Sequence, residues 1–142
     1  MASIEQKDYL LREIEKIGII MSSFRQKLFG GKGNLAITPE KQIEDLKGML
    51  SESTNFDLDK FLSLKVEDSN EYILSFKGFS IENIELLADC ISQTGFSDKS
   101  ASSKEYLEKA LKLYELCNLK SRTYSFTREA NILKIKNKIY LR

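Results

Sequence analysis

Apolar residues fall along the chain at helical rather than strand spacing. Leu10, Ile14, Ile17, Met21, Phe24 and Leu28 recur every third or fourth position, a heptad-like stripe that Leu11 and Ile20 broaden. Arg12, Glu13, Glu15, Lys16, Arg25 and Lys27 lie mostly off that stripe, so residues 1–29 read as one long amphipathic helix. Gly30-Gly31-Lys32-Gly33-Asn34 must stop it, because three glycines in four positions cannot continue a helix cheaply. Thr38-Pro39 then opens a second helix, with Thr as cap and Pro at the first helical position, and Ile43, Leu46 and Leu50 form its apolar face.

A short third helix follows Asn55 or Asp57 and uses Leu58, Phe61 and Leu62. Tyr72-Ile73-Leu74-Ser75-Phe76 fits either a helix or a strand; an isolated strand would have nothing to pair with, so a short helix is expected. Ser80 caps a helix with core positions Ile84, Leu87, Ala88 and Ile91 that closes at Gly95. Ser102 and Glu105 have capping-box spacing, and the helix after them is apolar on much of its circumference through Leu107, Ala110, Leu111, Tyr114 and Cys117. A final helix from about Tyr124 is expected to turn Phe126, Ala130, Ile132, Leu133, Ile135 and Ile139 inward. The pattern predicts an all-α fold of five to six helices in a single domain over 1–142, with a helical hairpin plus a final helix over 80–142.

Two short patterns within this span match a known repeat. Ile84-x-x-Leu87-Ala88-x-x-Ile91 places a small residue among large ones, and Ala110-x-x-x-Tyr114-x-x-Cys117 does the same on the next helix. Small residues at Ala88 and Ala110 let two antiparallel helices approach closely while bulky neighbours fill the gaps. Residues 84–117 therefore resemble a tetratricopeptide-repeat helical hairpin. The likeness covers about a quarter of the chain, the link from Gly95 to Ser102 is longer than the family's tight turn, and no Pro closes the pair. What the resemblance implies is a TPR-like hairpin architecture and protein binding. Asp8-Tyr9-Leu10-Leu11-Arg12-Glu13-Ile14 followed by this hairpin is also similar to small bacterial helical proteins.

Composition narrows the chemistry. The 142 residues contain no His and no Trp, which removes imidazole bases, imidazole metal ligands and Ser-His or Cys-His nucleophile pairs. Cys90 and Cys117 are too few for a disulfide scaffold or a four-thiolate zinc site and read as buried small hydrophobes. No basic-then-apolar leader and no membrane-length apolar run is visible, so a cytoplasmic location without membrane insertion is expected. Asp57 and Asp59 read as helix-capping residues, and Glu67, Asp68 and Glu71 as a solvated acidic loop. Gly30-Gly31-Lys32-Gly33 lacks the preceding strand and the Gly-Lys-Ser/Thr ending of a phosphate loop, and reads as a helix terminator.

The net charge of +1 conceals a dipolar layout. Residues 40–89 carry twelve acidic and five basic side chains, whereas 120–142 carry one acidic and seven basic. Lys120, Arg122, Arg128, Lys134, Lys138 and Arg142 form a candidate basic patch able to meet phosphates. Leu10, Ile14, Ile17, Met21 and Phe24 form a candidate self-association surface, because the second helix offers little to cover so long a stripe; a homodimer is expected there, with residues 56–79 folding back over the stripe as the alternative. Together these features imply a non-catalytic intracellular protein–protein interaction module, not an enzyme, with no cofactor and no metal. The alternative is a nucleic-acid accessory protein that uses 120–142.

Overall fold

A computed structural model describes residues 4–30 and 38–140, with side chains over 6–27 and 38–140. Its elements are all helices: α1 (Ile4–Gly30), α2 (Pro39–Ser53), α3 (Leu58–Ser63), α4 (Val66–Leu74), α5 (Ile81–Ser97), α6 (Ser102–Lys120) and α7 (Phe126–Tyr140). Seven helices among the described residues exceed the five to six expected, and both short helices anticipated before Ser80 stand as separate elements. Glu67, Asp68 and Glu71 accordingly lie on α4 rather than in a loop, with Glu67 and Asp68 in the first turn, where the helix dipole favours carboxylates. Gly31–Asn34 lie outside the described residues.

Side-chain caps account for the starts of α2, α3 and α5. Thr38 Oγ1 accepts from the Lys41 N–H at 3.2 Å, Asp57 Oδ1 from the Lys60 N–H at 3.2 Å, and Ser80 Oγ from the Asn83 N–H at 3.3 Å. The Ser102–Glu105 capping box does not form. A capping Ser must sit in extended backbone just outside the helix, whereas Ser102 is already inside it and Ala101 before it has helical dihedrals. Asp98 Oδ1 and Ser100 Oγ organise this turn instead, accepting from the Ser100 and Ser102 N–H groups at 2.8 and 3.2 Å.

α5 and α6 form the centre. Ile81 is matched with Cys117, Asp89 with Tyr114 and Gly95 with Leu107, so positions ascend on one helix as they descend on the other and the pair is antiparallel. α5 continues two residues past Gly95 to Ser97, which corrects the expected stop. A Cβ at Gly95 would stand 2.8 Å from Leu107 Cδ2 and 3.2 Å from the Leu107 backbone nitrogen. Gly95 is therefore a close-approach residue, and Ala88 and Ala110 are fully buried along the same pair.

α1 packs mainly on α5, and α7 mainly on α6. Ile17, Met21 and Phe24 are buried in the common core, and Leu10 and Ile14 are half-buried. This corrects their assignment to a free self-association surface: the stripe is internal packing. Its cover comes from α5, α2 and the turn before α5, where a Cβ on Gly78 would lie 2.6 Å from Ile17 Cδ1 and 3.0 Å from the Glu13 carbonyl. Asn83 locks the contact, donating from Nδ2 to the Ile14 carbonyl at 2.8 Å and the Gly78 carbonyl at 2.7 Å. The side chain of Leu28 lies outside the described residues.

The short helices are held by rings and one lysine. Phe56 has Phe61, Tyr72, Phe76 and Phe79 at centroid distances of 4.8–5.6 Å, and the Tyr72 hydroxyl accepts from the Asp57 N–H. Buried Lys109 of α6 donates to the Leu64 carbonyl at 2.6 Å and to Ser69 Oγ at 3.0 Å, tying the α3–α4 junction to the central pair. Burial lowers the Lys109 pKa, as expected for an ammonium taken out of water.

Two substitutions test this packing. Ala110→Leu should overpack the α5–α6 contact and cost about 1–3 kcal/mol, read as a lower melting temperature; an unchanged value would move Ala110 out of that contact. Ile17→Glu should abolish the cooperative folded state by burying an unpaired carboxylate, measured by circular dichroism and thermal melting. A folded, helical Ile17→Glu monomer would take the stripe out of the core.

Candidate interaction face on helix α7

Helix α7 carries apolar residues on two opposite sides. At 3.6 residues per turn, Arg128, Ile132, Ile135 and Ile139 share one side, and Phe126, Ala130, Leu133, Asn137 and Tyr140 share the other. The first set faces α6 and the core: Ile132 and Ile135 are buried and Ile139 is half-buried. The second set faces water. Phe126 is 78% exposed, and Leu133 and Tyr140 are each 60% exposed. Phe126, Ala130 and Leu133 therefore point outward, not inward as the periodicity predicts. Six apolar residues at these spacings cannot occupy one helix face, and α6 offers a surface to only one side.

The outer set follows a heptad. Phe126, Leu133 and Tyr140 take the d positions and Ala130 and Asn137 the a positions, which puts Lys134 at e and Lys136 at g on the two flanks. Glu129 is the other charged flank residue, and its Oε1 accepts from Asn118 Nδ2 at 3.0 Å. Lys134 Nζ sits 4.7 Å above the Phe96 ring. Among the described residues, none of Lys134, Lys136 and Lys138 lies within ion-pair distance of a carboxylate. Leu119 in the last turn of α6 and Tyr124 in the link before α7 are also exposed, 81% and 76%.

The basic patch read from the sequence is only partly present as a surface. Lys120, Arg122, Lys134 and Lys138 are exposed, whereas Arg142 lies outside the described residues. Arg128 is buried. Its Nε donates to Glu85 Oε1 at 2.6 Å and its Nη1 to Asn118 Oδ1 at 3.0 Å, so this cation fastens α7 to α5 and α6. A charge count could not separate it from its neighbours; the signal was its place on the ridge with Ile132 and Ile135.

A second polar cluster joins α1, α5 and α6. Tyr114 Oη donates to Asp89 Oδ1 at 2.5 Å, and Arg25 Nε stands 3.7 Å from Asp89 Oδ2. The pair lines a cavity of about 220 Å³ together with Gln93, Asn131 and Lys134. Burial raises the Asp89 pKa, partly opposed by the Tyr114 hydrogen bond and the Arg25 charge. Burial and the neighbouring carboxylate raise the Tyr114 phenol as well. The thiols of Cys90 and Cys117 are both free, buried and pushed up to about 12 by burial.

No protein-family model matches this chain, and comparison with curated proteins and with solved structures returned no match. No described helix is long and apolar enough to cross a membrane. Among the described residues, no group of three or more His, Cys, Asp or Glu side chains could hold a metal ion.

The Asp89 environment gives a pH test. A carboxyl whose folded pKa is raised takes up its proton more readily in the folded state, so its burial cost applies above the folded pKa and is relieved as pH falls towards the unfolded value of about 3.9. Asp89→Asn keeps an acceptor for Tyr114 without the charge. The variant should match or exceed the wild type in thermal stability at pH 8 and lose that advantage at acid pH. An Asn variant less stable at pH 8 would show that the Arg25 and Tyr114 contacts outweigh desolvation.

Proposed function

We propose that this chain is a non-catalytic, intracellular protein-interaction module. A TPR-like α5–α6 hairpin serves as its scaffold, and the outer face of α7 is its docking surface. The observation that carries the reading is the exposed line of Phe126, Leu133 and Tyr140 on a helix whose other side is already packed. A helix apolar on both sides ordinarily has neighbours on both sides, and contiguous apolar surface in water marks interaction sites. The buried, high-pKa thiols support a non-catalytic role, because reactive cysteines are exposed and have lowered pKa values. Two free, reduced cysteines also suit an intracellular setting.

One observation favours a second reading, a nucleic-acid accessory role through 120–142. Exposed Tyr124 and Phe126 follow exposed Lys120 and Arg122 within a few residues of chain, a combination that can stack bases and meet phosphates. The burial of Arg128 takes one cation from that surface. The two readings separate in a photo-crosslinking experiment inside the native cell, with p-benzoylphenylalanine at position 133, at 124, or at the exposed position 44 of α2 as a control. Protein adducts should form at 133, survive nuclease, and disappear when Phe126→Glu and Tyr140→Glu are added. Nuclease-sensitive adducts at 124 would transfer support to the nucleic-acid reading. Adducts at 133 that are no stronger than at 44 would overturn the docking face.

A further inference from the structure

Resting on that reading, we infer that the outer face of α7 takes an acidic amphipathic helix from another protein, seated in a short two-stranded coiled coil. Three observations specify the occupant. The exposed apolar residues form a narrow a/d line rather than a broad apolar half, and that is the seam of a helix pair; helices that lie in a bilayer surface present a wider apolar face. The line spans a 15-residue helix, about 22 Å at 1.5 Å per residue, which matches four turns of a partner helix. Its flanks are basic: Lys134 at e and Lys136 at g have no carboxylate partner among the described residues, and Lys138 extends the charge.

Flanking charges choose partners in such pairs. A second copy would bring Lys134 and Lys136 against the same lysine-rich face, and its acidic flank residue Glu129 is engaged by Asn118. A helix with Glu or Asp at e and g meets those lysines with opposite charge. Asn137, the polar residue within the seam, favours a partner with a hydrogen-bonding side chain at the matching layer and so sets register.

The experiment uses the full chain and defined probes. Sedimentation equilibrium first sets the oligomeric state at tens of micromolar. Fluorescence anisotropy then compares two synthetic three-heptad peptides with Leu at a and d, one with Glu at e and g and one with Lys. Phosphatidylserine vesicles and a 20-nucleotide single-stranded DNA serve as competing probes. The expected result is a monomer that binds the Glu peptide saturably, with the Lys peptide at least about tenfold weaker, or 1.4 kcal/mol. Leu133→Glu should remove binding, and Lys134→Glu with Lys136→Glu should reverse the peptide preference, both with unchanged circular dichroism.

Other outcomes overturn the inference in distinguishable ways. Equal affinity for the two peptides, still lost in Leu133→Glu, removes the acidic partner but keeps α7 as a docking face. A wild-type dimer dissolved by Leu133→Glu makes the second copy the occupant. Binding of vesicles or DNA in place of both peptides removes the helical partner. If no probe responds to Leu133→Glu and the wild type is monomeric, the docking face falls with the inference.

Discussion

The close antiparallel approach of α5 and α6 is the constraint on which the other helices depend. At Gly95 the two helices come within a distance that a single added carbon would violate, and Leu107 fills the space instead. Fully buried Ala88 and Ala110 keep side chains small along the same pair. Helices held this close expose their large residues sideways, and those side surfaces receive α1, α2 and α7. The central pair therefore acts as a template: α1 and α2 lie against α5, α4 and α7 lie against α6, and α3 bridges α2 and α4.

Polar ties then fix how each element sits on that template. Asn83 uses both hydrogens of its amide to hold the middle of α1 and the turn before α5, which explains how a long apolar stripe finds one register. Lys109 holds the α3–α4 junction through a backbone carbonyl and Ser69, and Arg128 holds α7 through Glu85 and Asn118. Each tie is a polar group in low-dielectric surroundings whose loss leaves a partner unsatisfied, so the ties contribute specificity as well as stability. The same economy leaves α7 touched on one side only among the described residues.

Much of the local structure was legible in the sequence. The 3–4 spacing from Leu10 to Phe24 and the caps at Thr38, Asp57 and Ser80 rest on interactions within a few residues, and those interactions are written in neighbouring letters. Helix identity from Tyr72 to Leu74 followed from the lack of any strand partner. Gly95 shows the limit: a glycine near a helix end signals either a stop or a close contact, and only the position of Leu107 decides between them.

The candidate site lay mostly beyond that limit. Periodicity shows that a helix has an apolar face but not whether another element covers it. Leu10–Phe24 and Phe126–Tyr140 have the same spacing; α5 and the turn at Gly78 cover the first and nothing in the described structure covers the second. Charge behaves alike, since Arg128 and Lys134 count equally in a basic run until burial against Glu85 separates them. The sequence by itself determined where helices start, stop and turn apolar, because those choices are made over one or two turns of chain. Which apolar face and which cations remain in water was decided by the tertiary structure, because exposure depends on elements that come from elsewhere in the chain.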